Sequence, residues 1–156
     1  ATMNVNYSTS VTPTSNTVLT NNSTTTLTGW AVGVLQNMYN IGGLFNVVTG
    51  VYTTAPLANP FRIAYNLTFA YSDSNAAITP VVITVQLYNQ TDAVVQRQMK
   101  FRIDHTDTVS YTFSGITNLN NASKQYVFRI INPSLAGTQT VYNSAEFTNL
   151  VIDRLL

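Results

Sequence analysis

The fold turns on one stretch, Phe61-Arg62-Ile63-Ala64-Tyr65-Asn66-Leu67-Thr68-Phe69-Ala70-Tyr71. Phe61, Ile63, Tyr65, Leu67, Phe69 and Tyr71 recur at every second position. The residues between them are Arg62, Ala64, Asn66, Thr68 and Ala70, all smaller or polar. A backbone that points successive side chains to opposite sides turns this alternation into one buried and one outward face. The stretch therefore predicts a long β-strand, and the polar run Ser72 to Ala76 ends it in a turn.

The same period appears on either side. Downstream, Val81 to Tyr88 is β-branched and apolar on both faces, as suits a central strand. Asn89-Gln90-Thr91-Asp92 turns the chain into a strand from Ala93 to Ile103, and Asp73 and Asp92 read as turn residues that bond their own backbone. Val109, Tyr111 and Phe113 alternate again before a predicted loop at Gly115 to Asn121. Tyr126, Phe128 and Ile130 follow, ending at Asn132-Pro133, and Ala145 to Arg154 reads as the last strand. Upstream, Leu27, Trp30, Val32, Val34 and Leu35 form a first strand, with Trp30 expected in the core. Gly42, Gly43 and Gly50 punctuate the next segment. Val51 to Ala55 is a short strand stopped by Pro56, and Leu57 to Pro60 is a loop. Residues 1–26 are rich in Thr, Ser and Asn with thin apolar content, and read as a linker, a stalk end or an N-terminal arm. Residues 27–156 read as one domain. No helical period is present.

Composition agrees. The 156 residues are 45% hydrophobic but only 8% charged, against roughly a quarter charged in an average domain. Thr, Asn, Ser and Gln supply the polar surface, and Glu146 is the only Glu. With a formal net charge of +1 and no basic run, nucleic-acid binding is not expected. Arg97, Lys100 and Arg102 form a loose group that discourages sheet-edge aggregation. The absence of cysteine excludes thiol chemistry and disulfide scaffolding. No apolar run reaches the length of a membrane-spanning helix, so membrane insertion is not expected.

Catalysis needs convergent titratable groups, and few are available. The sole histidine, His105, sits in Asp104-His105-Thr106-Asp107. As a Ser-His-Asp relay, neighbours in sequence diverge on a strand or tight turn. As metal ligands, Asp104, His105 and Asp107 have suitable chemistry but need partners from elsewhere. The plainer reading is a solvated hairpin turn. No nucleophile elbow, phosphate loop or carboxylate pair is found, so no catalytic residue, metal or cofactor is expected. Asn-x-Ser/Thr sequons at Asn6, Asn21, Asn22, Asn66, Asn89 and Asn121 matter only on a eukaryotic secretory route.

The spacing of several motifs resembles a known family. Val34-Leu35-Gln36-Asn37, Tyr39-Asn40, Gly43, Phe45-Asn46, Thr49-Gly50-Val51-Tyr52-Thr53, Ala55-Pro56 and Phe61-Arg62-Ile63-Ala64-Tyr65 are similar to the first half of the head domain of complement component one q and its tumour necrosis factor relatives. Ser144-Ala145-Glu146-Phe147-Thr148-Asn149-Leu150-Val151-Ile152 resembles that family's last strand, with Asn149 where the family has Gly. The resemblance implies an all-β antiparallel jelly-roll sandwich of about ten strands in two sheets. It also implies a tight homotrimer, with the first, last and long aromatic strands nearest the threefold axis. Tyr65, Phe69, Tyr111, Phe113, Phe147 and Val151 are the interface residues this suggests.

These readings converge on a non-catalytic trimeric head for receptor or glycan attachment, extracellular or on a virion or fibre surface. A structural capsid or decoration jelly roll, and a carbohydrate-binding module, are the alternatives. Tyr39 to Asn46, Ser72 to Thr79, Asp104 to Asp107 and Ser134 to Gln139 are the loops with room to vary.

Overall fold

The alternation across Phe61–Asp73 builds the longest strand of the molecule and the spine of its larger sheet. A computed structural model describes residues 7–33, 38–54, 61–119 and 124–155. The expected features at 34–37, 55–60, Asn6 and Asn121 lie outside these residues. Among the described residues there are fourteen strands and no helix. In chain order they are β1 (Ser8–Pro13), β2 (Thr17–Leu19), β3 (Ser23–Thr26), β4 (Trp30–Ala31), β5 (Tyr39–Ile41), β6 (Phe45–Asn46), β7 (Val51–Thr53), β8 (Phe61–Asp73), β9 (Val81–Asn89), β10 (Val94–Ile103), β11 (Val109–Leu119), β12 (Gln125–Asn132), β13 (Gln139–Val141) and β14 (Asn149–Leu155).

They form an eight-stranded and a six-stranded sheet, and every strand pair described is antiparallel. Several of the fourteen are segments of one interrupted line. Along one edge of β8 run β14 and then β13, and β11 covers the other edge. Beyond them β1 continues the line of β2, and β4 and β5 share the far edge of β1. In the second sheet β10, β9 and β12 lie side by side, β3 and β7 share the next line, and β6 closes it. Each sheet thus has five lines, the ten-stranded jelly roll that the family resemblance implies.

The core fills the space between the sheets. Ile63, Tyr65, Leu67, Phe69 and Tyr71 of β8 are all buried, facing Ile83, Val85 and Leu87 of β9 and Tyr126, Phe128 and Ile130 of β12. Rings pack at mutual angles rather than face to face: Tyr65 lies 5.1 Å from Phe113 and Phe69 lies 5.8 Å from Phe101. Such pairs add about 0.5–1.5 kcal/mol each beyond the area they bury. Trp30 is in this core, edge-on to Phe45, with Nε1 donating to the Leu27 carbonyl at 3.2 Å.

Two expectations are corrected. Residues 1–26 are not a linker or stalk from Ser8 onward. β1 pairs β14 in the larger sheet, β2 pairs β13, and β3 pairs β12. Thin apolar content suffices here because these strands bury Val11 and Leu19 in the core, and Thr and Ser complete the ladders. The predicted loop at Gly115 is also strand: β11 continues to Leu119 in unbroken register with β8. Gly115 faces Tyr65, whose hydroxyl would lie 2.8 Å from any Cβ placed there. The glycine makes room for a ring rather than breaking the strand.

Candidate functional site

Two surfaces stand out, both on the larger sheet. The first is its outward face. Register places Tyr39, Ser10, Val151, Asn66 and Ser114 in one outward row, and Ile41, Ser8, Asp153, Ala64 and Ile116 in the next. A third row carries Asn149, Thr68 and Thr112. On β8 and β14 the charged outward residues are Arg62 and Asp153, both towards one end, and Asp153 accepts a hydrogen bond from the Ser8 hydroxyl. The rest of the face is hydroxyl, amide and apolar, with Tyr39, Ile41 and Ile116 exposed. Beside it, the open edge formed by β10 and β11 exposes Val94, Val95, Met99 and Val109.

The outer face of the smaller sheet contrasts with this. Arg129 stacks over the Tyr88 ring at 3.4 Å and donates from Nε to Gln86, whose amide nitrogen donates in turn to Gln98. Lys100 and Arg102 project from the same face. The few charges of the molecule are therefore unevenly divided between its two broad faces.

The second surface is a cleft of about 490 Å³ at the end of the larger sheet. It exists because the chain leaves β8 between β13 and β14. Tyr142 N still donates to Ala70 O, and β14 resumes at Asn149 opposite Thr68. In between, Ser144 O accepts from both Phe147 N and Thr148 N, closing a tight turn. The Thr148 hydroxyl then accepts from Ala70 N at 2.9 Å, so a side chain stands in for the missing ladder partner. This detour leaves Ala70 as a small floor, with Tyr142, Ser144 and Phe147 above it and Thr108 and Ser110 opposite. Asn16 and Asn143 complete the lining, joined by a hydrogen bond from Asn143 N to Asn16 Oδ1. Tyr142 is oriented by its hydroxyl contact with Ser72 at 3.0 Å. That bond, and a second with Thr108, hold its phenol below the ordinary range.

The six residues suggested for a subunit interface separate into two groups. Tyr65, Phe69 and Phe113 are buried inside the single chain, within its sandwich core. Tyr111 is half-buried at the open edge, its hydroxyl 3.3 Å from His105 Nε2, and burial raises its phenol. Val151 is half-buried on the outward face, and Phe147 is 53% exposed at the cleft.

The Asp104–Asp107 turn brings no ligand set together. Arg102 lies 3.7 Å from Asp104, and no group of three His, Cys, Asp or Glu able to hold a metal occurs among the described residues. Asp73 and Asp92 do more than cap turns. Asp92 is held by Lys124 at 2.8 Å, which lowers its carboxyl, while Asn89 makes the local turn bonds. Asp73 is fully buried, accepting from Ser134 Oγ at 2.5 Å, Gln139 Nε2 at 3.2 Å and Asn75 N at 2.9 Å. It thereby fixes the Ser134 to Gln139 loop. The cleft lies outside the four loops singled out from sequence, and no motif announces it, because it arises from a detour between two strand segments.

No protein-family model matches the chain, and no curated protein matches it in sequence. Solved structures do resemble it. Murine APRIL at pH 5.0 superposes with a TM-score of 0.64 at 10% identity, over 96% of this chain and 99% of that one. Murine APRIL at pH 8.5 gives 0.60 at 12% identity, with the same coverage. The Eiger tumour necrosis factor of S. frugiperda gives 0.64 at 10% identity, over 98% of this chain and 94% of that one. The fold is thus the jelly roll of the tumour necrosis factor type. Among the described residues no helix is long and apolar enough to cross a membrane.

Proposed function

We propose that this chain is a non-catalytic recognition head that works as a homotrimer outside the cell, on a fibre, stalk or virion surface. The observation that carries the reading is the pairing of two surfaces on one molecule. The outward face of the larger sheet is broad and nearly uncharged, and the adjoining β10–β11 edge exposes Val94, Val95, Met99 and Val109. An edge set against the face of the next copy is a heterologous contact, which closes into a ring when its rotation fits. Burial of both surfaces would answer the low charge of the sequence, which offers little repulsion between copies.

In this arrangement Val151, Tyr111 and Ile116 meet the neighbouring subunit. Tyr65, Phe69 and Phe113 serve from beneath, holding β8 and β11 in place. The family resemblance supports three copies, and a protein receptor or a glycan as the partner. Replacing Ile116 by Asp tests the reading, since the residue is exposed in the single chain and its loss should not disturb the core. The expected result is a folded monomer in sedimentation velocity where the unaltered chain sediments as a trimer. An Ile116→Asp chain that still sediments as a trimer would contradict the interface.

A further inference from the structure

We infer that the cleft above Ala70 binds the ring of a neutral sugar. The inference deepens the recognition-head reading and rests on it for its setting, although every residue it uses belongs to one chain. Two aromatic side chains, Tyr142 and Phe147, line the cleft, and Phe147 is 53% exposed. An aromatic wall beside a concave floor, with a few polar groups converging on it, is the make-up of a small-ligand site. The remaining lining is hydroxyl and amide: Thr108, Ser110, Ser144, Asn16 and Asn143.

The chemistry of the lining selects the ligand class. A pyranose ring has an apolar C–H face and a rim of hydroxyls, which match an aromatic wall beside uncharged donors and acceptors. Asn16 uses Oδ1 on Asn143 N, so its amide nitrogen is left to donate to a ligand. Asn143 donates from Nδ2 to Thr14 O at 3.4 Å, so its amide oxygen is left to accept. Among the described residues no acidic or basic side chain lines the cleft. An anionic ligand would therefore enter without a counter-charge, which is costly. A wholly apolar ligand would strip water from the hydroxyls and amides without replacing their hydrogen bonds. The volume of about 490 Å³ falls within the roughly 300–1,000 Å³ typical of small-ligand sites.

Saturation-transfer difference NMR on the full chain tests this, with methyl β-galactoside, methyl α-mannoside and N-acetylglucosamine as neutral probes and 3′-sialyllactose as the acidic comparison. Saturation of the ring protons of at least one neutral probe is expected. Phe147→Ala should weaken that probe at least about tenfold. Ser110→Leu, which fills the cleft and leaves Phe147 in place, should abolish the signal. Should either variant fail to fold by circular dichroism, the other carries the comparison. Transfer from none of the neutral probes, transfer confined to sialyllactose, or transfer unchanged in the folded variants would overturn the site. Molar mass measured on the same samples separates the two readings. A trimer without sugar transfer removes the sugar site alone, and a monomer with transfer removes the assembly alone.

Discussion

Tyr71 and Asp73 sit two positions apart on the same face of β8, and each contributes an unusual buried group. The Tyr71 hydroxyl is buried with no hydrogen-bond partner among the described residues, as is that of Tyr52. Burial pushes both phenols above their ordinary value, and for Tyr71 the nearby Asp73 carboxylate adds to it. An unfolded phenol ionises near pH 10, whereas these two keep their protons beyond it. The folded state then binds more protons than the unfolded one, so stability is full below about pH 10 and falls as pH rises above it. Melting temperature followed by circular dichroism should be level up to that point and decline beyond it. Tyr71→Phe removes the unpaired hydroxyl, and should raise the melting temperature by about 2–4 °C while flattening the alkaline decline. Asp73 acts in the opposite sense, because Ser134, Gln139 and Asn75 all donate to it. Asp73→Ala strands those donors and should cost about 3 kcal/mol in urea unfolding. A loss under about 1 kcal/mol would show that water replaces the carboxylate there.

At the scale of elements, β8 was legible because its alternation is strict over the whole of its first eleven residues, and β11 and β12 followed from the same period at Tyr111, Phe113, Tyr126 and Phe128. The missed elements are short: β5 and β6 fall where Tyr39 to Asn46 read as a loop, and four others carry mostly small side chains. β1, β2, β3 and β13 are short and are mostly Ser, Thr and Val. β1 and β3 are placed by ladder partners more than a hundred residues away in β14 and β12, and β2 by β13, which no local pattern reveals. Gly115 misled for a related reason: its meaning depends on Tyr65 across the sheet. Gly115→Val should force that ring to shift and cost about 1–3 kcal/mol, measurable by chemical denaturation. Unchanged stability would mean that the Tyr65 ring moves aside freely. The cleft was equally illegible. Its floor and walls come mainly from β8, β11 and the Tyr142–Thr148 detour, brought together by bonds such as those of Tyr142 N and the Thr148 hydroxyl with the Ala70 backbone.

For the whole molecule, a charge-poor sequence has folded so that its basic residues cluster on the smaller sheet and its larger sheet presents hydroxyls, amides and apolar side chains. Of the aromatic residues suggested for a subunit interface, Tyr65, Phe69 and Phe113 fill the core of the single chain, and the interface we propose is drawn around Val151, Ile116 and Tyr111. Among the described residues the chemistry of catalysis is thin, with His105 tied to Tyr111 in an exposed turn. Recognition through assembly is the account that uses both broad features of the fold. Multi-angle light scattering of the purified chain tests it most directly. A molar mass three times the 17.1 kDa of one chain, unchanged on dilution, is the predicted result. A mass equal to that of the single chain would contradict the account.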